Sequence, residues 1–111
     1  MNNVTFAKIA LVEFRRKMQR MPEVTVSPGR VRSGDSVYVA ATGFTPNRTA
    51  MSHLVRPDGT EYNPLRFRTN ERGEFFHKID TTILDIGTFQ VWVEDEASKV
   101  NSNRAQFTVE R

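Results

Sequence analysis

The spacing of the apolar residues changes at Pro22, and this change constrains the fold of the chain more than any other feature. Before Pro22, apolar residues follow one another at steps of three and four, which is the spacing of one face of an α-helix. After Pro22, apolar and polar residues alternate, and turn-forming residues recur every eight to twelve positions, as between short antiparallel strands. The sequence therefore predicts one amphipathic helix in residues 1–21 and a β domain in residues 22–111.

The β domain contains about seven stretches that alternate as strands do, separated by turns such as Pro57, Asp58 and Gly59. Pro64 lies within one stretch and implies that this strand is at a sheet edge or contains a bulge. Short strands without helical spacing predict a mainly β fold, namely an antiparallel β-sandwich. The predicted strands are residues 23–27, 36–43, 49–56, 61–68, 74–79, 88–94 and 104–110.

The N-terminal helix carries an apolar stripe and the excess positive charge of the chain. The net charge of the whole chain is +3, with +4 in residues 1–21 and −1 in residues 22–111. Pro22 disfavours helical backbone at the residue before it, so the helix should end at about residue 20. The residues that we expect to dock on a partner are Val4, Ala7, Leu11, Phe14 and Met18 of the stripe, with Arg15, Arg16 and Lys17 beside them.

Three roles are open for this helix: docking on a larger assembly or on sister copies, packing on its own domain, and lying on a membrane surface. We favour docking, because an apolar stripe of this kind more often binds protein than lipid. The helix does not resemble a secretion signal, since the apolar run at residues 9–12 is short and the charges follow it. It also has too few apolar residues to span a bilayer, which requires about 20 of them.

Length and composition exclude several classes of protein. The chain has 111 residues, enough for one small domain, and it has no cysteine. A disulfide framework, a zinc finger and a thiol nucleophile are therefore excluded. His53 and His77 are the only histidines, and neither lies in a metal-binding or nucleophile motif. We expect no enzymatic activity, no metal and no cofactor.

The charged clusters of the β domain favour structural roles. Glu94, Asp95 and Glu96 supply too few oxygens for a calcium ion by themselves, so a solvated loop is favoured over a calcium site. Five arginines could form a basic face, but a charged sheet edge is favoured over nucleic-acid binding, which needs exposed aromatic side chains between the charges. These arginines are Arg48, Arg56, Arg66, Arg68 and Arg72.

Trp92 is the most informative single residue of the β domain. If Phe89, Val91 and Val93 face the core, the alternation places Trp92 on the outer face of its sheet. An outward tryptophan suggests contact with a subunit, a sugar ring or the N-terminal helix. Covering its own sheet or stacking with an arginine is an equal alternative. Alternation leaves open which of residues 50–55 face the core.

Five segments of the β domain resemble, in order, those of bacterial and phage immunoglobulin-like domains. The resemblance covers residues 22–111 and implies an immunoglobulin-like β-sandwich. Antibody-type domains have a cysteine pair beside a buried tryptophan, which this sequence lacks. Phe89 stands where many members have a corner tyrosine, so packing alone should hold this corner. The segments are GDSV leading to GFTPN within 34–47, RPDGT at 56–60, NERGEF at 70–75, GTFQVWV at 87–93 and FTV at 107–109.

The resemblance also implies a class of function. The chain is similar to single-domain phage virion accessory or decoration proteins, which combine a short anchoring segment with one displayed domain. This implies protein partners in a capsid or tail, or sister subunits of a multi-copy assembly, with assembly in the host cytoplasm and a final location in the virion. The alternatives are a carbohydrate-binding or adhesin module that uses Trp92 and residues 44–48, and a protein–protein adaptor. We expect no nucleic-acid partner, and a membrane partner is disfavoured.

Overall fold

The computed structural model describes residues 21–111, a range that excludes the predicted helix apart from Met21. The helix and the docking residues assigned to it therefore stay predictions. Within the described range the chain forms eight strands and one 3₁₀ turn, Thr81–Ile83. The strands are β1 (Glu23–Ser27), β2 (Arg30–Arg32), β3 (Ser36–Thr42), β4 (Thr49–Val55), β5 (Leu65–Arg68), β6 (Phe75–Asp80), β7 (Gly87–Asp95) and β8 (Ala105–Glu110).

These strands form two sheets, which confirms the predicted mainly β sandwich. One sheet has three strands in the order β1, β3, β6, and the other has five in the order β2, β8, β7, β4, β5. Within the described residues, every neighbouring pair of strands is antiparallel except β2 and β8, which run parallel. The inner faces of the two sheets enclose one core.

Strand β2 corrects the prediction of about seven antiparallel strands. It consists of Arg30–Arg32, and its Val31 lies opposite Val109 of β8 in the parallel pair. Three residues are too few to show an alternation, and the partner strand comes from the other end of the sequence. No local signal therefore indicates this strand, because only the folded chain brings the two segments together.

Strand β5 is shorter than predicted, but it lies at the edge of its sheet as Pro64 implied. It covers Leu65–Arg68 rather than residues 61–68, and Glu61 makes only an isolated bridge to Val55. Pro64 has no N–H and cannot donate a hydrogen bond to the next strand. Regular pairing of β5 with β4 therefore begins after Pro64.

The core consists mainly of valine and phenylalanine side chains from the inner faces of both sheets. Strand β7 shows the alternation clearly, since Phe89, Val91 and Val93 are buried and the residues between them are more exposed. Phe89 stacks on Phe107 of the neighbouring strand, with ring centroids 5.3 Å apart. Packing thus holds Phe89, as expected where the corner residue has no hydroxyl group.

The structure also decides which residues of β4 face the core. Ala50 and Ser52 are buried between the sheets, and Leu54 packs against the core. His53 lies opposite Trp92 on the outer face of the five-stranded sheet. The sequence could not decide this, because both alternations of β4 leave some apolar side chains outside the core.

The sandwich has two ends, and the N-terminal segment joins it at one of them. We call this the proximal end, where Glu23 at the start of β1 lies opposite Thr42 at the end of β3. The C-terminal residue of β8, Glu110, lies at the other, distal end beside Arg32. The proximal loops are residues 43–48, 69–74 and 96–104, and the distal loops are residues 33–35, 56–64 and 81–86.

Gly43 determines how closely the N-terminal segment approaches the proximal end. Its φ is +79°, and a Cβ atom at this position would overlap the carbonyl oxygen of Met21. Glycine is the residue that accepts both the positive φ and the close backbone contact. Met21 and Pro22 are therefore held against the loop between β3 and β4.

Candidate binding surfaces

Trp92 lies on the outer face of the five-stranded sheet, as predicted, and neighbouring side chains pack on it. The His53 ring stacks on the indole with centroids 3.8 Å apart and an angle of 4° between the planes. The guanidinium carbon of Arg104 lies 5.5 Å from the centre of the indole ring. A contact role for Trp92 stays a prediction, and the stack reduces the ring area that a ligand could use.

His53 is part of this stack and has a polar partner of its own. Its Nδ1 lies 3.1 Å from Oε1 of Glu61, which follows the turn after β4. Its Nε2 and the Nε1 of Trp92 are buried and have no hydrogen-bond partner among residues 21–111. Since the imidazole is covered on one face by the indole, the arrangement orders the outer face and presents no free base to solvent.

His77 points in the opposite direction, into the space between the sheets. Its Nε2 lies 3.4 Å from the Ser52 hydroxyl of the other sheet, and its ring stacks on Phe67 at 4.5 Å. Burial lowers the pKa of His77 below its usual value of 6.5. Within the described part of the chain, no carboxylate hydrogen-bonds to this histidine. The pair of His77 and Ser52 joins the two sheets.

Asp95 corrects the expectation that the acidic run is a solvated loop. It is 3% exposed and accepts hydrogen bonds from the Thr45 amide at 3.0 Å and from the Thr45 hydroxyl at 2.6 Å. The Ser98 hydroxyl donates a further bond to the same carboxylate at 2.9 Å. Asp95 therefore ties the β7–β8 loop to the β3–β4 loop. The described residues contain no cluster of side chains that could hold a metal ion.

The five arginines are dispersed over several local contacts. Arg66 lies 3.4 Å from Glu96, and Arg72 lies 3.6 Å from Glu74. The Arg56 guanidinium lies 3.7 Å from the centre of the Tyr62 ring. Arg66 and Arg68 are on the edge strand β5, where charged side chains oppose pairing with another sheet. Arg48 and Arg68 line a polar cleft together with Asn47, Thr49, Glu96, Ala97 and Lys99.

The outer face of the three-stranded sheet carries two exposed aromatic side chains that the sequence analysis missed. Tyr38 of β3 is 59% exposed and Phe76 of β6 is 64% exposed. Ala40 lies directly opposite Phe76 and leaves a shallow depression of about 450 Å³, which Thr25, Tyr38 and Lys78 also line. Phe75 and Phe76 are adjacent in the sequence, and successive strand residues face opposite sides. One of the two therefore had to face outward. The adjacent pair of phenylalanines was the sequence signal from which an exposed aromatic residue could have been predicted.

A broad groove lies at the proximal end. It has a volume of about 1140 Å³ and lies between the N-terminal junction and the three proximal loops. We call it the proximal groove. Phe44 is buried beneath it, so this residue of the 44–48 loop offers no exposed ring to a sugar. The groove is lined mainly by Met21, Glu23, Pro46, Glu71, Glu74 and Val100.

Comparisons with known proteins identify the fold but no family. No family model matches the chain, and no curated protein matches it. Among solved structures, the chain is similar to the PKD domain of an M14-like peptidase from a Thermoplasmatales archaeon, with 16% identity, 82% of this chain and 94% of that chain covered, and a TM-score of 0.48. It is similar to CHIR-AB1 at 23% identity, with 77% and 89% covered and a TM-score of 0.47.

The third similar structure is the CARDB domain of the PF1109 protein from Pyrococcus furiosus, which was solved in complex with di-metal ions. The two chains are 14% identical, the alignment covers 79% of this chain and 86% of the CARDB domain, and the TM-score is 0.50. Together with the sheet order, this likeness shows that the chain has an immunoglobulin-like β-sandwich fold. It does not support the phage part of the sequence resemblance.

Residues 21–111 contain no helix that is both long and apolar enough to cross a bilayer.

Proposed function

We propose that this chain is a non-enzymatic binding module that docks on a multi-copy protein assembly through residues 1–21 and displays the sandwich. The observation that carries this proposal is the separation of charge and packing along the chain. Residues 1–21 hold a net charge of +4 and an apolar stripe, whereas residues 22–111 have a net charge of −1. The sandwich builds a core from residues between Val24 and Val109. A basic, amphipathic extension on such a domain is suited to hold a partner.

The geometry of the junction supports an outward display of the distal end. Gly43 holds Met21 and Pro22 against the proximal end, so the docking segment joins the sandwich on the side of the proximal loops. The 44–48 loop then lies beside the anchor, and the distal loops point away from it. Ile83 in a distal loop is the most exposed large apolar side chain of the described residues. The displayed surface is therefore the distal end together with the outer faces of the sheets.

The particular assembly in this proposal is a phage virion. The chain is an accessory or decoration protein of the particle, assembled in the host cytoplasm, and its partners are the capsid, the tail or sister subunits. The sequence resemblance of residues 22–111 to phage and bacterial immunoglobulin-like domains supports this choice. The immunoglobulin-like fold agrees with it but is shared by proteins of many functions.

The test compares the full chain with a truncated chain that begins at Pro22. Both are added to particles that lack the chain, and their co-sedimentation with the particles is measured. We expect the truncated chain to keep the circular dichroism spectrum of a β-sandwich and to lose co-sedimentation. A matched full-length variant with Arg15→Gln and Arg16→Gln should bind more weakly, while Arg30→Gln with Arg32→Gln at the distal end should not. Equal binding by the truncated chain would overturn the docking proposal.

A second candidate function is binding of a glycan on the outer face of the three-stranded sheet. Tyr38 and Phe76 favour it, because two exposed rings beside a small residue can stack on the apolar face of a sugar. The test is a titration of soluble polysaccharides into the full chain and into its Phe76→Ala variant. Loss of binding in Phe76→Ala and retention in Trp92→Phe would support this site. Binding that depends on Trp92 and not on Phe76 would exclude it.

A further inference from the structure

We propose that the proximal groove binds the basic N-terminal segment, residues 1–20, of a second copy of this chain. The inference rests on the proposed function, because the same segment is the docking element there. It adds the identity of one partner, which is a sister subunit, and the surface that receives the segment. The complex is then a homo-oligomer in which each copy contributes a segment and a groove.

The groove combines apolar surface with negative charge. Met21 and Val100 line it and are 61% and 48% exposed, which is high for side chains of this size and polarity. Glu23 and Glu71 also line it, are exposed, and form no ion pair with a described residue. Glu74 is the third carboxylate, and its partner Arg72 is the single cationic side chain of the described lining. The lining therefore has a net charge of −2.

The N-terminal segment has the complementary chemistry. Its apolar stripe matches the apolar part of the groove, and its cations match the carboxylates of the rim. Opposite charges at the edge of an interface accelerate association and select the partner, while the apolar contacts supply most of the affinity. The cations are Lys8, Arg15, Arg16, Lys17 and Arg20, and Glu13 is the only acidic residue among residues 1–20.

The junction favours the segment of a second copy over the chain's own segment. Gln19, Arg20 and Met21 are the only residues between Met18, the last apolar residue of the docking stripe, and Pro22. The shortest common chain reversal uses four residues, and Met21 is biased to extended backbone because it precedes proline. Met21 is also held against Gly43. The stripe of the same chain would have to fold back within too few residues.

A charge-swap experiment with full-length chains tests the pairing. The groove variant carries Glu23→Lys and Glu71→Lys, and the segment variant carries Arg15→Glu, Arg16→Glu and Lys17→Glu. A control with Asp85→Lys and Glu110→Lys changes the charge of the distal end by the same amount as the groove variant. Sedimentation velocity of each protein alone and of a 1:1 mixture of the two swap variants gives the association state at low salt.

The expected result is specific to pairing between copies. The wild-type chain and the distal control self-associate, and this association weakens as salt is raised. Each swap variant alone associates about tenfold more weakly, because both its segment and its groove then carry charge of the same sign. The 1:1 mixture recovers association, since the acidic segment of one variant meets the basic groove of the other.

The other outcomes separate this inference from the proposed function. If the segment variant loses association while the groove variant keeps it, the segment docks elsewhere, and only the groove assignment is overturned. If both variants lose association and the mixture does not recover it, pairing between copies is overturned. If the segment variant associates as the wild type does, both the groove assignment and docking through residues 1–21 are overturned. A wild-type chain that stays monomeric at low salt overturns the inference alone.

Discussion

The outer faces of the two sheets carry aromatic residues with opposite surroundings. On the five-stranded sheet, Trp92 is stacked on His53, and Arg104 lies over the same ring system. On the three-stranded sheet, Tyr38 and Phe76 are largely exposed. Both faces show the alternation of a strand with one side in solvent. The difference arises from the neighbouring strands, because the His53 ring lies opposite Trp92, whereas Ala40 lies opposite Phe76, and Ser27 and Lys78 lie opposite Tyr38.

An outward aromatic residue is a candidate contact site only if its neighbours leave it free. A cross-strand partner is a fixed distance away, so a ring opposite another ring is covered and a ring opposite alanine is not. Trp92 therefore stabilises its own sheet, whereas Tyr38 and Phe76 offer apolar area to a ligand. Substitutions on the two outer faces test this division of roles, and a pH series tests the inward histidine.

The largest effect should come from Trp92→Ala. The variant loses the stack on His53 and the burial of both rings, so the free energy of unfolding should fall by about 2 kcal/mol. Urea denaturation followed by circular dichroism measures it, because the variant has no tryptophan left for fluorescence. Trp92→Phe keeps a stacking partner and should lose about half as much. A loss below about 0.5 kcal/mol in Trp92→Ala would mean that the stack is not a structural element.

The two histidines extend the comparison to pH. Burial lowers the pKa of His77, so the folded protein keeps this side chain neutral where the unfolded chain takes up a proton. Its contribution to stability is therefore complete above pH 6.5 and declines as the pH falls from there toward the lower, folded pKa. Hydrogen bonds from threonine lower the pKa values of the Asp58 and Asp80 carboxyls, so the stability that these groups contribute is present above pH 3.8 and is lost only as the pH falls below that value.

The measurement is the thermal unfolding temperature between pH 7.5 and 5. The phenylalanine ring of His77→Phe can still stack on Phe67 but cannot take up a proton. This variant should therefore lack the part of the fall in unfolding temperature below pH 6.5 that His77 causes. His53→Gln keeps His77 and should leave that decline in place. An unchanged slope in His77→Phe would show that the inward histidine is not the titrating group.

A smaller effect is expected for Arg104→Gln. The guanidinium lies over the Trp92 ring and donates a hydrogen bond to Gln90 at 3.0 Å, but it is near solvent. Its removal should lower stability by about 0.5 kcal/mol. Arg32→Gln at the exposed distal end is the matched control and should change stability less. If the two variants lose equal stability, Arg104 contributes nothing through the indole.

The smallest effect on stability should come from Phe76→Ser. Its side chain is 64% exposed, so the free energy of unfolding should change by less than about 0.5 kcal/mol. The same denaturation assay measures it, with Phe75→Ser on the inner face as a strongly destabilised control. A large loss in Phe76→Ser would show that this face is covered and would remove the basis for a ligand there.

Much of the fold could be predicted from local sequence, and the errors have physical causes. The alternation of β7 and the turn residues around Gly59 and Gly73 were sufficient to locate most strands. Strand β2 was missed because three residues carry no period and pair with a strand distant in sequence. Asp95 was misassigned because its charge suggested solvent, although the alternation of Phe89, Val91 and Val93 continues to it and places it inside.

The candidate sites were less predictable than the fold. The alternation of β7 predicted that Trp92 faces outward. The stack with His53 could not be predicted, because it depends on the register between β4 and β7, which no local pattern specifies. The proximal groove joins residues from the two ends of the sequence and from its middle, such as Glu23, Glu71 and Val100. Such a surface exists only when the strands have been arranged in sheets.

The local sequence was enough to predict where the chain changes from helical to alternating spacing, that the alternating part is a β-sandwich, and that the positive charge lies in residues 1–21. These properties depend on residue order alone, because period, turn chemistry and charge are local. The packing of the strands, in contrast, covers Trp92, leaves Tyr38 and Phe76 exposed, and forms an acidic groove beside Met21. These depend on which strands become neighbours, and that is settled by packing of distant segments around a common core.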